Sequence, residues 1–197
     1  MKEPICKKCG KPIRNEENEL CYDCGEHDTY FEQGKSIWLH EGPVRWSIYQ
    51  FKYHNRRMFG EFYTEEMYRL YGKKIADWKI DAIVPVPLHW RIKRKRGYNQ
   101  AEIIAKLLGK KTGINVNTND LVRTVNTKPQ KKLSHSDRKK NLQNAFGLKK
   151  MQYVGKNILI IDDIYTSGST INSIAELFVK KGAAKVFFLT ISIGQGF

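Results

Sequence analysis

Apolar residues along this chain fall into short runs and into longer segments with helical spacing. The short runs predict five strands, at 35–40, 80–86, 114–122, 158–161 and 186–193. The segments with helical spacing predict four helices, at 43–54, 59–71, 97–108 and 169–181. Strands that alternate with helices are typical of an α/β fold, so we expect a mostly parallel sheet flanked by helices.

Two regions depart from this pattern. Residues 124–143 are polar and basic without a clear period, which predicts a long loop, and a loop of that length is usually functional. Residues 30–75 are rich in aromatic side chains. We expect most of these in the core or between helices, while a minority could stack on a nucleic-acid base.

The chain has 197 residues, enough for one domain with a hydrophobic core and a small accessory module. Its formal net charge of +15 indicates attraction to nucleic acid or to phosphorylated substrates, although a solvated basic surface is the simpler alternative. The sequence has no apolar run long enough to cross a membrane and no apolar region typical of a secretory signal. We therefore expect a cytoplasmic protein without membrane insertion.

All four cysteines lie near the start of the chain and form two C-x2-C pairs, Cys6, Cys9, Cys21 and Cys24. Each pair can place two thiolates on one tetrahedral Zn²⁺, so the spacing predicts a zinc ribbon over residues 1–28 and a main domain over 29–197. Two disulfides are the alternative, which a reducing cytoplasm disfavours. Four thiolates leave no open coordination position, so we expect a structural zinc ion.

Residues 158–170, ILIIDDIYTSGST, combine a buried strand, two adjacent acids and a small hydroxyl-rich loop before a helix. Free backbone N–H groups at a helix N-terminus attract phosphate, and Gly168 allows an anion to approach the backbone closely. Asp162 and Asp163 can bind hydroxyl groups or a phosphate-bound Mg²⁺. The pattern predicts a site for a sugar phosphate; an ordinary strand–turn–helix connection is the alternative.

A basic run follows the strand at 80–86 and its prolines. Five cations lie within six residues, Arg91, Lys93, Arg94, Lys95 and Arg96. We interpret this run as a contact surface for pyrophosphate or nucleic acid; the alternative is the solvated start of a helix.

The segment 158–170 closely resembles the motif that binds 5-phosphoribosyl-1-pyrophosphate (PRPP) in type I phosphoribosyltransferases. The resemblance implies that Asp162 and Asp163 hold the ribose hydroxyls. It also implies that the 5′-phosphate lies in a cradle formed by Thr166, Ser167, Gly168, Ser169 and Thr170. Leu88 and His89 are then the candidates for binding pyrophosphate, and Mg²⁺ is expected to bind together with PRPP.

The same resemblance implies a lid over residues 121–146, which excludes water and supplies cations to the departing pyrophosphate. The candidate lid residues are Arg123, Gln130, Lys131 and Arg138. Together with Asp162 and Asp163, Arg123 is expected to be catalytic.

Four features of this chain occur in an order that resembles the ComF family of competence-associated proteins. They are the four-cysteine ribbon, PVPLHW followed by RGYNQ, the series Arg123, Gln130, Arg138, Asn141, Ala145 and Phe146, and the motif at 158–170. The resemblance covers nearly the whole chain. It implies a type I phosphoribosyltransferase fold with an N-terminal zinc ribbon, and a role in DNA uptake or handling during natural transformation.

Two functions are compatible with this resemblance. The first is Mg²⁺-dependent transfer of a phosphoribosyl group from PRPP to an acceptor that the motifs do not identify. The second is a non-catalytic DNA-binding or regulatory protein that uses the fold to sense PRPP or a nucleotide. The expected DNA contacts, to single strands in particular, are Arg91, Lys93, Arg94, Lys95, Arg96, Lys131, Lys132 and Arg138. A competence helicase is a further candidate partner, docked through the zinc ribbon.

Overall fold

The computed structural model describes residues 4–15, 17–124, 145–150 and 152–195. Its helices are α1 (Tyr22–Glu26), α2 (Gly42–Tyr53), α3 (Phe59–Asp77), α4 (Trp90–Arg96), α5 (Gln100–Thr112) and α6 (Ser169–Lys180). Its strands are β1 (Gln33–Leu39), β2 (Ala82–Pro85), β3 (Leu121–Arg123), β4 (Phe146–Leu148), β5 (Asn157–Tyr165) and β6 (Lys185–Ile193).

Four of the strands form a parallel sheet in the order β1-β6-β5-β2. The central pair, β5 and β6, aligns Asn157 with Lys185, and β2 and β1 extend the sheet on either side. β3 and β4 form a separate antiparallel pair. Because the four strands are parallel, their carboxyl ends lie at one edge, where open α/β sheets bind ligands.

Side chains of the central strand β5 alternate between two cores. On one face, Ile158 and Ile160 join a cluster with Phe178 of α6. On the other face, Leu159 and Ile161 join a cluster with residues of α2, α3 and α5. The sheet is therefore the middle layer of three, and burial on both faces explains why its strands read as continuous apolar runs.

The cysteine segment packs against the first of these cores. All four cysteines are buried and belong to the same cluster as Phe31 and Phe188. The backbone N–H of Gly34 donates to the carbonyl of Lys8 at 2.7 Å, which ties this segment to the start of β1. Buried Lys11 forms an ion pair with Asp23 at 2.5 Å between Nζ and the carboxylate, within the cysteine segment.

Two elements differ from the sequence prediction. The predicted strand at 114–122 is wrong for most of its length: it contains one bridge, from Val116 to Ile83, and the start of β3. A turn interrupts it, in which the Asn117 side chain accepts hydrogen bonds from the next backbone N–H groups. The second difference concerns the helix predicted at 97–108. Gly97 ends α4, with φ of +83°, and α5 begins only after the separate cap residue Asn99.

The strand that carries the two acids is longer than predicted. It was expected to end at residue 161, whereas β5 continues through Tyr165. The predicted loop at 124–143 lies outside the described residues beyond 124, and so do Gln130, Lys131, Lys132 and Arg138. Within the described part of the chain, the helices are too short or too polar to span a bilayer.

Candidate functional site

The connection between β5 and α6 lies at the carboxyl edge of the sheet. α6 begins directly after Gly168, and the N–H of Asn172 donates to the carbonyl of Gly168 at 2.8 Å in the first turn. The hydroxyl oxygens of Ser167 and Ser169 lie 2.9 Å apart. A cavity of about 20 Å³ is lined here by Asp162, Ile164, Tyr165, Thr166, Gly168, Ser169, Thr170 and Ile171. Most of the predicted cradle residues therefore lie together at a helix N-terminus, whose first N–H groups have no partner within the helix.

Glycine is required at position 168 for two reasons. Its φ is +77°, and a Cβ atom built there would lie 2.3 Å from the hydroxyl oxygen of Tyr165. Tyr165 is buried and stacks on Phe188, with the ring centroids 4.6 Å apart. Burial raises the pKa of Tyr165 well above its ordinary value, so the hydroxyl that supports the loop stays protonated.

Asp162 and Asp163 lie three and two residues before the end of β5, and both are partly buried. The Asp162 carboxylate accepts a hydrogen bond from the backbone N–H of Asp163 at 2.8 Å. Asp163 forms an ion pair with Lys52 of α2, with 2.9 Å between Nζ and the carboxylate oxygen. The side chains of this pair are only 18% and 16% exposed, so it is held in a largely desolvated position.

The Asp162 carboxyl is difficult to ionise. Burial, and then the neighbouring charge of Asp163, raise its pKa from 3.8 to about 7, against the opposing effects of its hydrogen bond and of the cations Lys52 and Arg123. A carboxyl with such a pKa can change protonation state near neutral pH. Strongly perturbed acids are typical of functional sites, although structural ion pairs also produce them.

Arg123, the predicted catalytic cation, lies at the end of β3. Burial lowers its pKa, and the charge of Asp162 acts in the opposite direction, which places Arg123 within electrostatic reach of the acid pair. Its guanidinium lies over the ring of Phe146 at 5.6 Å from the centroid. The fold therefore brings Arg123 within electrostatic reach of Asp162, although about 40 residues separate the two in the chain.

The predicted pyrophosphate-binding segment connects β2 to α4. His89 is buried, and its Nδ1 accepts a hydrogen bond from the backbone N–H of Arg91 at 3.3 Å, which caps α4. Leu88 is partly buried. The Asn99 side chain donates to the carbonyl of Val86 at 2.9 Å and fixes the beginning of this segment. The Nδ1 atom of His89 thus shapes this connection, and the part of His89 in pyrophosphate binding stays a prediction.

The basic run is helical and faces solvent. Arg91, Lys93, Arg94 and Lys95 are exposed, and Arg96 is partly exposed. Lys93 pairs with Glu102 at 3.0 Å, and Arg96 donates to the side chain of Gln100 at 2.7 Å. The run is therefore an exposed basic helix, which is compatible with both interpretations, and it concentrates positive charge close to the carboxyl end of β2.

The four cysteine sulfurs form a site suited to one metal ion. They all lie within 4.8 Å of one another, and none is in a disulfide. The Sγ atoms of Cys9 and Cys21 are 3.6 Å apart. Tetrahedral Zn²⁺ with Zn–S bonds of about 2.3 Å separates its sulfur ligands by roughly 3.8 Å, so the donor set fits zinc.

A groove of about 1190 Å³ lies beside the loop that precedes α6. Tyr22 and Glu26 of α1 form part of one wall, and Asn172 and Glu176 of α6 form part of another. The Asn172 side chain holds the two walls together, because it accepts from the N–H of Tyr30 at 2.7 Å and donates to the carbonyl of Asp28. Tyr165, Gly168 and Ser169 border both this groove and the smaller cavity.

Sequence reasoning did not identify two residues of this site, Lys52 and Tyr165. Lys52 lies 111 residues from its partner and is one of many lysines, so no sequence signal marked it. Tyr165 lies inside the recognised motif, but only the structure shows its hydroxyl against Gly168.

Comparison with known proteins defines the class of this fold and site. The family model for the phosphoribosyl transferase domain matches residues 62–192, which include the acid pair and the loop before α6. A purine phosphoribosyltransferase from Pyrococcus horikoshii is structurally similar, with 15% identity, a TM-score of 0.44, and coverage of 67% of this chain and 73% of that structure. The chain contains a phosphoribosyl transferase domain.

Relatives of the whole chain identify its family more narrowly. Competence protein F of Haemophilus influenzae is 30% identical, over 93% of this chain and 82% of the relative. The DNA utilization protein YhgH of Escherichia coli K12 is 29% identical, over 92% and 81%. Competence protein ComFC of Bacillus subtilis is 27% identical, over 91% and 73%. This chain belongs to the ComF family.

Proposed function

We propose that this protein binds PRPP together with Mg²⁺ at the loop between β5 and α6, and transfers its phosphoribosyl group to an acceptor. The observation that carries the proposal is the arrangement of two acids on β5 directly before a helix N-terminus with a glycine-dependent loop. Asp162 and Asp163 would hold the ribose hydroxyls. Residues 166–170 would hold the 5′-phosphate through backbone N–H groups and hydroxyls.

The reaction breaks the bond between ribose C1 and pyrophosphate, and a new bond forms from C1 to the acceptor. Its transition state resembles an oxocarbenium ion, so it is stabilised by nearby negative charge on the sugar side and by cations on the leaving pyrophosphate. Mg²⁺, when bound, would neutralise part of the pyrophosphate charge. Arg123, which lies within electrostatic reach of Asp162, would be a cation that assists at this point.

The acceptor would lie in the groove beside the cradle. Its walls include the aromatic rings of Tyr30, Phe31 and Tyr165, and Ser167 and Gly168 border it on the side of the cradle. Tyr22 and Tyr30 are the exposed rings of this groove, and a planar acceptor could stack on them, whereas Phe31 and Tyr165 are buried.

PRPP binding can be tested by calorimetry with Mg²⁺. Asp162→Asn combined with Asp163→Asn keeps side-chain shape and removes both charges, and should abolish binding. Asp77→Asn, at the exposed end of α3, is the matched control and should bind normally. Unchanged affinity in a folded double variant would overturn the proposal. Pyrophosphate release from bound PRPP would favour the enzyme, whereas tight binding without release in the presence of candidate acceptors would favour the sensor.

The second candidate function is DNA binding, which the exposed cations of α4 and the similarity to competence protein F and to a DNA utilization protein favour. Phosphate contacts release counterions, so affinity should fall steeply with salt, and sequence preference should be weak. Arg94→Gln with Lys95→Gln should weaken binding to all sequences. Lys149→Gln with Lys150→Gln removes the same charge from exposed positions after β4 and should have a smaller effect. Equal effects of the two double variants would indicate net charge alone.

A helicase partner stays a prediction from the family resemblance. The cysteine module packs against the main core, so such a partner would meet a surface composed of both parts. Co-purification of a helicase by wild-type protein, and its loss after metal removal, would support this contact.

A further inference from the structure

α2 presents a row of aromatic side chains to solvent. Trp46, Tyr49 and Tyr53 occur at helical spacing and are 61%, 52% and 62% exposed. The opposite face of the same helix is buried through Ile48 and Phe51. The helix therefore already has its core contacts, and the three exposed rings need another explanation. Contiguous apolar surface of this kind marks interaction sites in soluble proteins.

The exposed rings lie along α2 at helical spacing, and we name them the α2 platform (Trp46, Tyr49 and Tyr53). The ring centroids of Tyr49 and Tyr53 lie 5.0 Å apart, and the imidazole of His54 lies 5.3 Å from Tyr49. Each ring keeps much of its area free. The surface thus offers successive aromatic rings along one helix.

The α2 platform is joined to the basic helix α4. The guanidinium of Arg96 lies over the ring of Tyr53, 5.0 Å from its centroid, and that of Arg57 lies over Tyr98 at 4.6 Å. Residues 42–60 and 82–101, which contain α2 and α4, include nine lysines and arginines and no acid. Aromatic and cationic groups are therefore combined on one surface.

A neighbouring surface combines aromatic rings with charges of both signs. α3 also exposes aromatic rings, at Phe62 and Tyr68. Its first half, however, carries Glu61, Glu65 and Glu66, of which Glu66 pairs with Arg69 and Glu65 with Lys111. Its charges are mixed in sign, so α3 has no preference for a polyanion. The contrast assigns the anionic ligand to the surface of α2 and α4.

We propose that the α2 platform stacks the bases of single-stranded DNA while the cations of α4 contact its phosphates. This inference rests on the DNA binding proposed above and locates the base contacts. Aromatic side chains stack on bases of any sequence, and a single strand exposes base faces that a duplex hides. A second copy of this chain is a poorer occupant, because the cations of two such surfaces would repel each other.

The test compares Trp46→Ala combined with Tyr53→Ala against Tyr68→Ala as the control. Both sets are exposed, so folding should be preserved and can be checked by circular dichroism. Fluorescence anisotropy would measure binding to three labelled DNA probes: a twenty-nucleotide thymidine strand, an abasic strand of equal length, and a duplex. Stacking of a base on an aromatic ring contributes about 1–3 kcal/mol, and about 1.4 kcal/mol corresponds to a tenfold change in affinity. The double variant should therefore bind the thymidine strand at least about tenfold more weakly than wild type.

The abasic strand separates stacking from charge. Because it keeps the phosphates and lacks bases, its affinity should be the same for wild type and double variant, and Tyr68→Ala should resemble wild type on every probe. Equal losses on the thymidine and abasic strands, or no loss on either, would overturn the α2 platform as a stacking surface. Failure of wild-type protein to bind any probe would overturn DNA binding itself and the platform with it. A dimer that the double variant alone converts to monomer, with DNA affinity unchanged, would assign the face to self-association.

Discussion

Asp162→Asn should stabilise this protein although it removes a residue of the candidate site. The asparagine side chain keeps the oxygen that accepts from the N–H of Asp163. It removes a carboxyl whose pKa is raised from 3.8 to about 7, mainly by burial. Each unit of pKa corresponds to 1.36 kcal/mol, so ionised Asp162 costs about 4 kcal/mol in the folded state. The loss of its attraction to Lys52 and Arg123 is already included in that pKa.

The sign of the pH dependence follows from the raised pKa. Between pH 3.8 and about 7 the folded protein holds a proton on Asp162 that the unfolded chain has released, so stability falls as pH rises through this range. Above about pH 7 both states are ionised and the decline stops. The advantage of Asp162→Asn over wild type should therefore grow, from about 2 kcal/mol at pH 5.5 to about 4 kcal/mol at pH 8.5.

Urea unfolding at pH 5.5, 7.0 and 8.5, without PRPP or Mg²⁺, measures this difference directly. Asp77→Asn, an exposed acid, is the control and should change the free energy of unfolding by less than about 0.5 kcal/mol at each pH. A variant no more stable than wild type at pH 8.5, or an advantage that does not grow with pH, would refute the reasoning. A confirmed gain would mean that the acid is retained at a cost in stability, as expected for a residue kept for ligand binding.

Three further outcomes are expected. Protein purified under reducing conditions should contain about one zinc ion per chain by metal analysis, since one four-thiolate shell takes one ion, and Cys9→Ser should lower that ratio. Gly168→Ala should reduce the free energy of unfolding by about 1–3 kcal/mol and abolish PRPP binding, because the new Cβ atom would meet the hydroxyl of Tyr165. Gly113→Ala is the control: its φ is +73° and its Cβ atom would meet no neighbour, so it should lose only the free energy that backbone strain costs. Asn99→Ala should lower the free energy of unfolding, measured in urea, by about 1–3 kcal/mol, because it removes both the cap of α5 and a buried hydrogen bond to the segment after β2. A loss under about 0.5 kcal/mol would contradict this.

Local patterns predicted those parts of the molecule that depend on neighbours in the chain. The cysteine spacing predicted a set of four converging thiols, and the motif at 158–170 predicted a loop between a strand and a helix. The central strands were evident because burial on both faces leaves a continuous apolar run. The family and the fold class were likewise predicted, since both depend on the order of such local motifs.

Contacts between distant segments could not be predicted in this way. The position of Lys52 against Asp163 depends on how α2 crosses the sheet, which no local pattern encodes. The strand predicted at 114–122 was wrong because its apolar residues alternate weakly and Asn117 forms a turn within it. The basic run was recognised, but the prediction did not give the bounds of its helix, which His89 caps at the start and Gly97 ends.

The ion pair between Lys52 and Asp163 gives α2 a second property. Lys52 pairs with Asp163 of the candidate sugar site, and the next residue, Tyr53, is exposed and lies under Arg96. A ligand hydroxyl that bonds to Asp163 must share that carboxylate with Lys52, so binding in the site acts on α2 directly. If such a ligand changes the affinity of the α2 platform for DNA, DNA must change the affinity of the site for that ligand by the same factor, because coupling between two binding sites is reciprocal. One turn of helix thus connects the candidate sugar site to the α2 platform, and coupling between ligands of the two would pass through it.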